Sequence, residues 1–157
     1  MSTPRSIITG VGVSLVLRLP STSGSIEQVA EAHNKVITEH GSAWLGIVGK
    51  TYSAENIRNI RQNGDFLYVV QKRDEGTSLY KGKIADISKS VPRDQCSLVP
   101  TYYQDLGISE RANLWVKLST LRRSPTREID TLWVVSFGKN ASALLSGRAY
   151  LGIVEKR

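Results

Sequence analysis

Two runs of sequence and the turn between them decide the fold: FLYVVQK at Phe66–Lys72 and LYKGKIADI at Leu79–Ile87, separated by Asp74-Glu75-Gly76-Thr77. β-branched and aromatic residues fill the first run, and a short Gly-containing turn between two such runs predicts a β-hairpin. Alternation along the second strand sends Leu79, Lys81, Lys83 and Ala85 to one side, and Tyr80, Gly82, Ile84 and Asp86 to the other. One side of that strand therefore carries two lysines.

Upstream, Ala43–Gly49 (AWLGIVG) is a short apolar run that fits a buried strand. Ser53 is placed to cap a short helix with Ile57 and Ile60 on its inner side, Arg58 and Arg61 on an exposed edge, and Gly64 closing it. Ser25-Ile26-Glu27-Gln28 is a capping box. It starts a helix whose apolar stripe is Ile26, Val29, Ala30, His33, Val36 and Ile37, with Gly41 as its stop. His33 lies on that stripe and reads as a packed histidine rather than a catalytic one. Residues 6–19 read as a long strand or a bent pair that Pro20 and the Ser/Thr/Gly cluster 21–24 end.

Downstream, residues 88–112 lack periodicity and carry Pro92, Pro100 and Tyr102-Tyr103, the pattern of a functional or mobile loop. Then come a strand at Leu114–Leu121, a basic connector with Arg122, Arg123 and Arg127, a strand at Leu132–Phe137, a short helix at Ala141–Ser146 and a strand at Ala149–Val154. Strands outnumber helices and are scattered among them. The class is α+β: a small curved mixed sheet or barrel with two to four short helices. No linker or low-complexity tract divides residues 1–157, so one domain is expected. Within it, residues 1–42 form a strand-helix extension packed on 43–157.

The chain of 157 residues has 21 Lys+Arg against 14 Asp+Glu, a net charge of +7 that favours an anionic partner. A single cysteine, Cys96, excludes an intrachain disulfide framework and a Cys-based zinc cluster. Two histidines, His33 and His40, offer little for a His-built metal site. The apolar stretch Ile7–Leu17 is broken by Gly10, Gly12 and Ser14 and ended by Arg18, which fits neither a signal peptide nor a membrane span. A cytoplasmic protein without membrane contact is expected. Phosphate-binding loops, dinucleotide fingerprints and zinc-protease or serine-hydrolase motifs do not occur. Asp65, Asp86, Asp105 and Asp130 lack metal-ligand spacing, and Tyr102, Tyr103, Asp105 and Lys117 would make an acid–base site only without a signature. The expectation is a protein that is not an enzyme and needs no metal or cofactor.

Aromatic residues recur beside cations: Lys50-Thr51-Tyr52, Tyr80-Lys81, Trp115 with Lys117, and Trp133 near Ser136 and Lys139. Such pairs suit nucleic acid, because rings stack on exposed bases while cations hold phosphates. Trp44, Trp115 and Trp133 also lie in apolar strands, where a tryptophan is more often core.

From Ala43 onward the order of these segments resembles the EVE/YTH branch of the PUA-like superfamily. The likeness rests on WLGIVGKT (Trp44–Thr51) with its Lys50-Thr51 pair, NGDFLYVV (Asn63–Val70), LYKGKIADI, NLWVKLSTLRR (Asn113–Arg123), and Trp133–Val154 with Ser136-x-Gly138. It spans residues 43–157. It implies a PUA-like barrel with a pocket for a flipped or modified base, in a DNA- or RNA-binding module of a defence, restriction or phage-related kind. In YTH members an aromatic cage holds a methylated adenine. Transferred by position, the resemblance places Lys50, Thr51 and Tyr52 at the base or nearby backbone, and Trp115, Lys117 and Ser119 on the strand forming one cage wall. This chain departs from the pattern: Ser119 stands at the family's wall tryptophan, so Tyr52, Tyr102, Tyr103 or Trp115 must substitute. The candidate nucleic-acid contacts are then Lys50, Thr51, Tyr52, Lys81, Trp115, Lys117, Ser119, Arg122, Arg123, Ser136 and Lys139. Two alternatives stand beside this: an ASCH-like small enzyme acting on RNA or a modified nucleoside, and a subunit that homodimerises through the N-terminal strand and helix.

Overall fold

A computed structural model describes residues 13–20, 24–135, 139–144 and 150–156, with residues 139, 143, 144, 150 and 156 described by their backbone alone. The hairpin forms as expected. Strands β3 (Gly64–Arg73) and β4 (Gly76–Ser88) pair antiparallel from Phe66 opposite Lys83 to Arg73 opposite Gly76. Gly76 holds φ at 136°, a conformation that side chains with a Cβ rarely adopt, which lets the turn close in two residues.

β1 (Val13–Leu19) lies parallel to β3, with Leu15 opposite Leu67 and Leu17 opposite Val69. Parallel neighbours need a long crossover. Here it consists of α1 (Ile26–His40), β2 (Ala43–Val48) and α2 (Ala54–Asn63). Both helices begin where their caps predict: the Ser25 hydroxyl accepts from the Gln28 amide, and the Ser53 hydroxyl accepts from that of Asn56. Gly41, at φ 93°, ends α1. Gly64 serves α2 through space instead, because a Cβ there would collide with the Ile60 carbonyl oxygen.

The remaining strands are β5 (Ala112–Leu118), β6 (Arg122–Ser124), β7 (Leu132–Val134), β8 (Lys139–Asn140) and β9 (Tyr150–Lys156). The nine described strands form one mixed sheet in the order β2-β5-β4-β3-β1-β9-β7-β8, with β6 on β4 beside β5. Only β1 and β3 run parallel among the described pairs. The sheet curves without closing into a barrel. β1 is an inner strand of the sheet, hydrogen-bonded to β3 on one edge and to β9 on the other, rather than an extension packed on it.

Two cores follow from strand alternation. On the inner side, Leu15, Leu17, Leu67, Val69, Leu45, Ile47, Val116 and Leu118 pack with Ile26 and Ala30 of α1 and Ile57 and Ile60 of α2. On the outer side, Val16, Tyr68, Val70 and Leu79 pack against Ile129, Leu132, Val134 and Ala141. A bulge between Ile84 and Asp86 puts Ile84 and Ile87 on the same side, so simple alternation fails at the end of β4.

A buried glutamine ties the crossover to the sheet. The Gln71 Oε1 accepts from the Ile26 amide at 2.9 Å, and its Nε2 donates to the carbonyls of Pro20 at 3.0 Å and Gly24 at 3.1 Å. Gln71 is 1% exposed, so water cannot replace these bonds. Gln71→Leu keeps the volume but orphans three backbone groups, and is expected to lower stability by about 1–3 kcal/mol, measured by urea unfolding.

Candidate functional site

Cations gather on the outer side of β3, β4 and β6. Register sets them in rows: Phe66 faces Lys83, Tyr68 faces Lys81, and Lys81 faces Arg122. The next row, Val70, Leu79 and Ser124, is buried beneath the 3-10 segment Thr126–Thr131 through Ile129. In the two cationic rows beyond it, Lys83 and Arg122 are exposed and Phe66 and Lys81 are half-buried. The Lys81 Nζ lies 4.2 Å from the centre of the Phe66 ring, and the Lys83 Nζ lies 5.1 Å from it.

Two carboxylates enter this patch. Glu128 accepts from Lys81 at 3.0 Å, from the Tyr68 hydroxyl at 3.0 Å and from the Ser124 hydroxyl at 2.6 Å. Burial opposes ionisation of Glu128, but the hydrogen bonds from Ser124, Lys81 and Tyr68 and the charge of Lys81 outweigh it and hold its pKa down at about 2. The Tyr68 phenol shifts upward, through burial first and then through its bond to the charged Glu128. Asp65 accepts from Lys83 at 2.7 Å. No described carboxylate lies within 4 Å of Arg122.

The other sequence candidates are dispersed. Lys117 is on the same outer side, opposite Trp44 and Asp86, with its Nζ 5.7 Å from the centre of the Trp44 ring. The amide of Ser119 donates to the Lys83 carbonyl, which is a structural bond between strands. Arg123 points to the inner side, over Tyr80 at 5.9 Å and within 3.3 Å of Glu27 on α1. Lys50 and Thr51 are exposed in the loop after β2, and the Thr51 hydroxyl donates to the Asn113 carbonyl. Tyr52 is half-buried against the inner core. Ser136 lies outside the described residues, as does the side chain of Lys139, whose backbone pairs with Val134.

Trp115 requires a correction. It is 4% exposed and belongs to a third cluster with Trp44 and Tyr103, so it cannot form the wall of an open cage. Its ring packs so tightly on Gly46 that a Cβ there would come within 2.7 Å of it. Residues 88–112 are not an open loop either. They form a 3-10 segment (Arg93–Leu98) and two single-turn helices, α3 (Tyr102–Asp105) and α4 (Ile108–Arg111), which lie over Trp44 and Trp115. Gln95 accepts from the Trp44 indole at 3.0 Å. Turns of four to six residues are too short to show a helical period, so the sequence pattern passes over them.

Tyr103, a candidate for an acid–base site or for a cage wall, is 2% exposed and held by hydrogen bonds. The hydroxyl donates to the His33 Nε2 at 2.8 Å and accepts from the Gly46 amide at 3.1 Å, covering the free edge of β2. The His33 Nδ1 donates to the Val29 carbonyl at 2.7 Å. Burial lowers the His33 pKa to about 4, against the opposing effect of its backbone hydrogen bonds. With both nitrogens bonded and no exposed surface, His33 is a structural residue. Asp65 pairs with Lys83 and Asp86 with Arg61, and no described group of three His, Cys, Asp or Glu residues could hold a metal ion. No described helix is long and apolar enough to cross a membrane.

No protein-family model matches the chain, and no curated protein or solved structure is significantly similar to it.

Proposed function

We propose that this protein is a nucleic-acid-binding module that grips the phosphate backbone along the outer side of β4 and β6. The observation that carries the reading is the direct pairing of Lys81 with Arg122 across these strands, with Lys83 two residues on. Like charges set directly opposite each other in a sheet are destabilising. Glu128 compensates Lys81 and Asp65 compensates Lys83, while Arg122 is left to solvent. A polyanion would relieve the repulsion and bring phosphates to Arg122, Lys83 and Lys117 together. The net charge of +7 supplies long-range attraction to the same partner.

Backbone contact is the core of this proposal. Base reading by an aromatic cage is not part of it, since Trp44 and Trp115 are buried.

Fluorescence anisotropy with labelled single-stranded DNA, duplex DNA and RNA of mixed sequence, across a salt series, tests it. For about three phosphate contacts, log K should fall against log salt with a slope of roughly −2 to −3. Arg122→Ala should weaken binding to all sequences alike and reduce the slope by about one half to one, with unfolding unchanged. Binding to none of the pools, or binding that ignores salt and Arg122, would refute the proposal.

A further inference from the structure

On the inner side, across the sheet from the cationic rows, lies a cavity of about 500 Å³. Leu17 and Leu19 of β1 and Val69 of β3 form one wall, and Leu45, Gly46 and Val48 of β2 form the other. These strands are far apart in sheet order, so the space exists because the sheet curls without closing. Val29 and Ala32 of α1 roof it, and Tyr102, Tyr103, Leu106 and Ile108 close its end.

The lining is mainly apolar and carries no charge. No Asp, Glu, Lys, Arg or His is among the lining residues. Its polar side chains are those of Ser25, Gln28, Tyr102 and Tyr103, and two are already engaged: the Ser25 hydroxyl caps α1, and the Tyr103 hydroxyl is held between His33 and Gly46. A charged ligand would lose its hydration there and gain no counter-charge, so nucleotides, phosphates and free amino acids are disfavoured.

A separate observation points to an occupant. Of the three large hydrophobic residues exposed among the described residues, two border this cavity: Leu106, 63% exposed, and Val48, 43% exposed. An apolar rim around an apolar hollow of this size is the form of a small-molecule site rather than of a packing defect. The Tyr102 ring, stacked on Tyr103 at 4.4 Å between centroids, adds a flat aromatic surface. We infer that the cavity binds a small uncharged apolar molecule, aromatic or aliphatic, with the stacked tyrosine pair as one wall and Leu106 and Val48 folding over the entrance.

The probe for the test is N-phenyl-1-naphthylamine, an uncharged dye that fluoresces in apolar surroundings. Titration into the full chain should give saturable binding with one dye per protein. Indole should displace it, and indole-3-acetate, the same ring with a carboxylate, should compete at least tenfold less well. Ala32→Phe, which fills the space from the helix side, should weaken dye binding at least tenfold. Leu106→Ser, at an exposed position that cannot unfold the core, should weaken it severalfold with an unchanged melting temperature. Absence of saturable binding, several dyes per chain, equal competition by the carboxylate, or affinity unchanged in both variants would overturn the inference. Nucleic-acid binding by the same samples reports on the opposite side of the sheet, so the two readings fail separately.

Discussion

Trp115→Ala will destabilise the protein by about 3–5 kcal/mol, the range for removing a large buried aromatic side chain. In a chain of this length that corresponds to a drop in melting temperature on the order of 10 °C. Trp115 is 4% exposed, its ring meets Tyr103 edge-on at 5.4 Å, and Gly46 opposite has no side chain with which to fill the space left. Because α3 and the preceding 3-10 segment lie on this cluster, the loss will also loosen residues 93–111, seen as faster amide exchange there. Thermal unfolding and hydrogen exchange read the two effects. A melting temperature that stays near wild type while nucleic-acid affinity collapses would instead make Trp115 a ligand-contacting residue.

Acidification will weaken the fold through His33. The sign follows from the two pKa values: about 4 in the folded protein, against 6.5 for an unperturbed histidine. The unfolded chain takes up a proton first, so the stability from the neutral buried ring is intact above pH 6.5 and drains away as pH falls to about 4. The full loss is about 3 kcal/mol. The titratable groups packed on His33 are the phenols of Tyr102 and Tyr103, both shifted upward by burial and therefore neutral throughout this window. Glu128 acts in a lower window, below its unperturbed 4.5 and down to about 2, so the two contributions separate. Urea unfolding at pH 7, 5 and 4 should show the loss in wild type. His33→Gln, weaker at pH 7, should show little further change between pH 6.5 and 4. An identical pH profile in both proteins would remove His33 as the cause.

Much of the scaffold is readable residue by residue. Ser25, Ser53 and Gly41 mark helix ends because caps are local: each satisfies a backbone group three or four residues away. The hairpin at 66–87 is equally local. His33 is legible as a packed residue because it falls on an apolar stripe. Tyr103 and Gln71 are not legible, because their partners, His33, Gly46, Ile26 and Pro20, lie tens of residues away and no pattern links them. The grouping of candidate contacts is likewise invisible. Lys81 and Lys83 share a side by strand alternation, yet nothing local brings Arg122 opposite Lys81 while turning Arg123 toward Glu27.

The sequence by itself determined the α+β class, the positions of α1, α2 and most of the strands, and a net charge of +7. These depend on composition, period and short-range hydrogen bonds. Only the tertiary structure decided that β1 is an inner strand, that Trp44 and Trp115 are core, and that the cations and the cavity lie on opposite sides of one curved sheet. The reason is physical. Pairing order and curvature are set by packing between segments far apart in the chain, and a strand's pattern records which residues share a side without recording what that side meets.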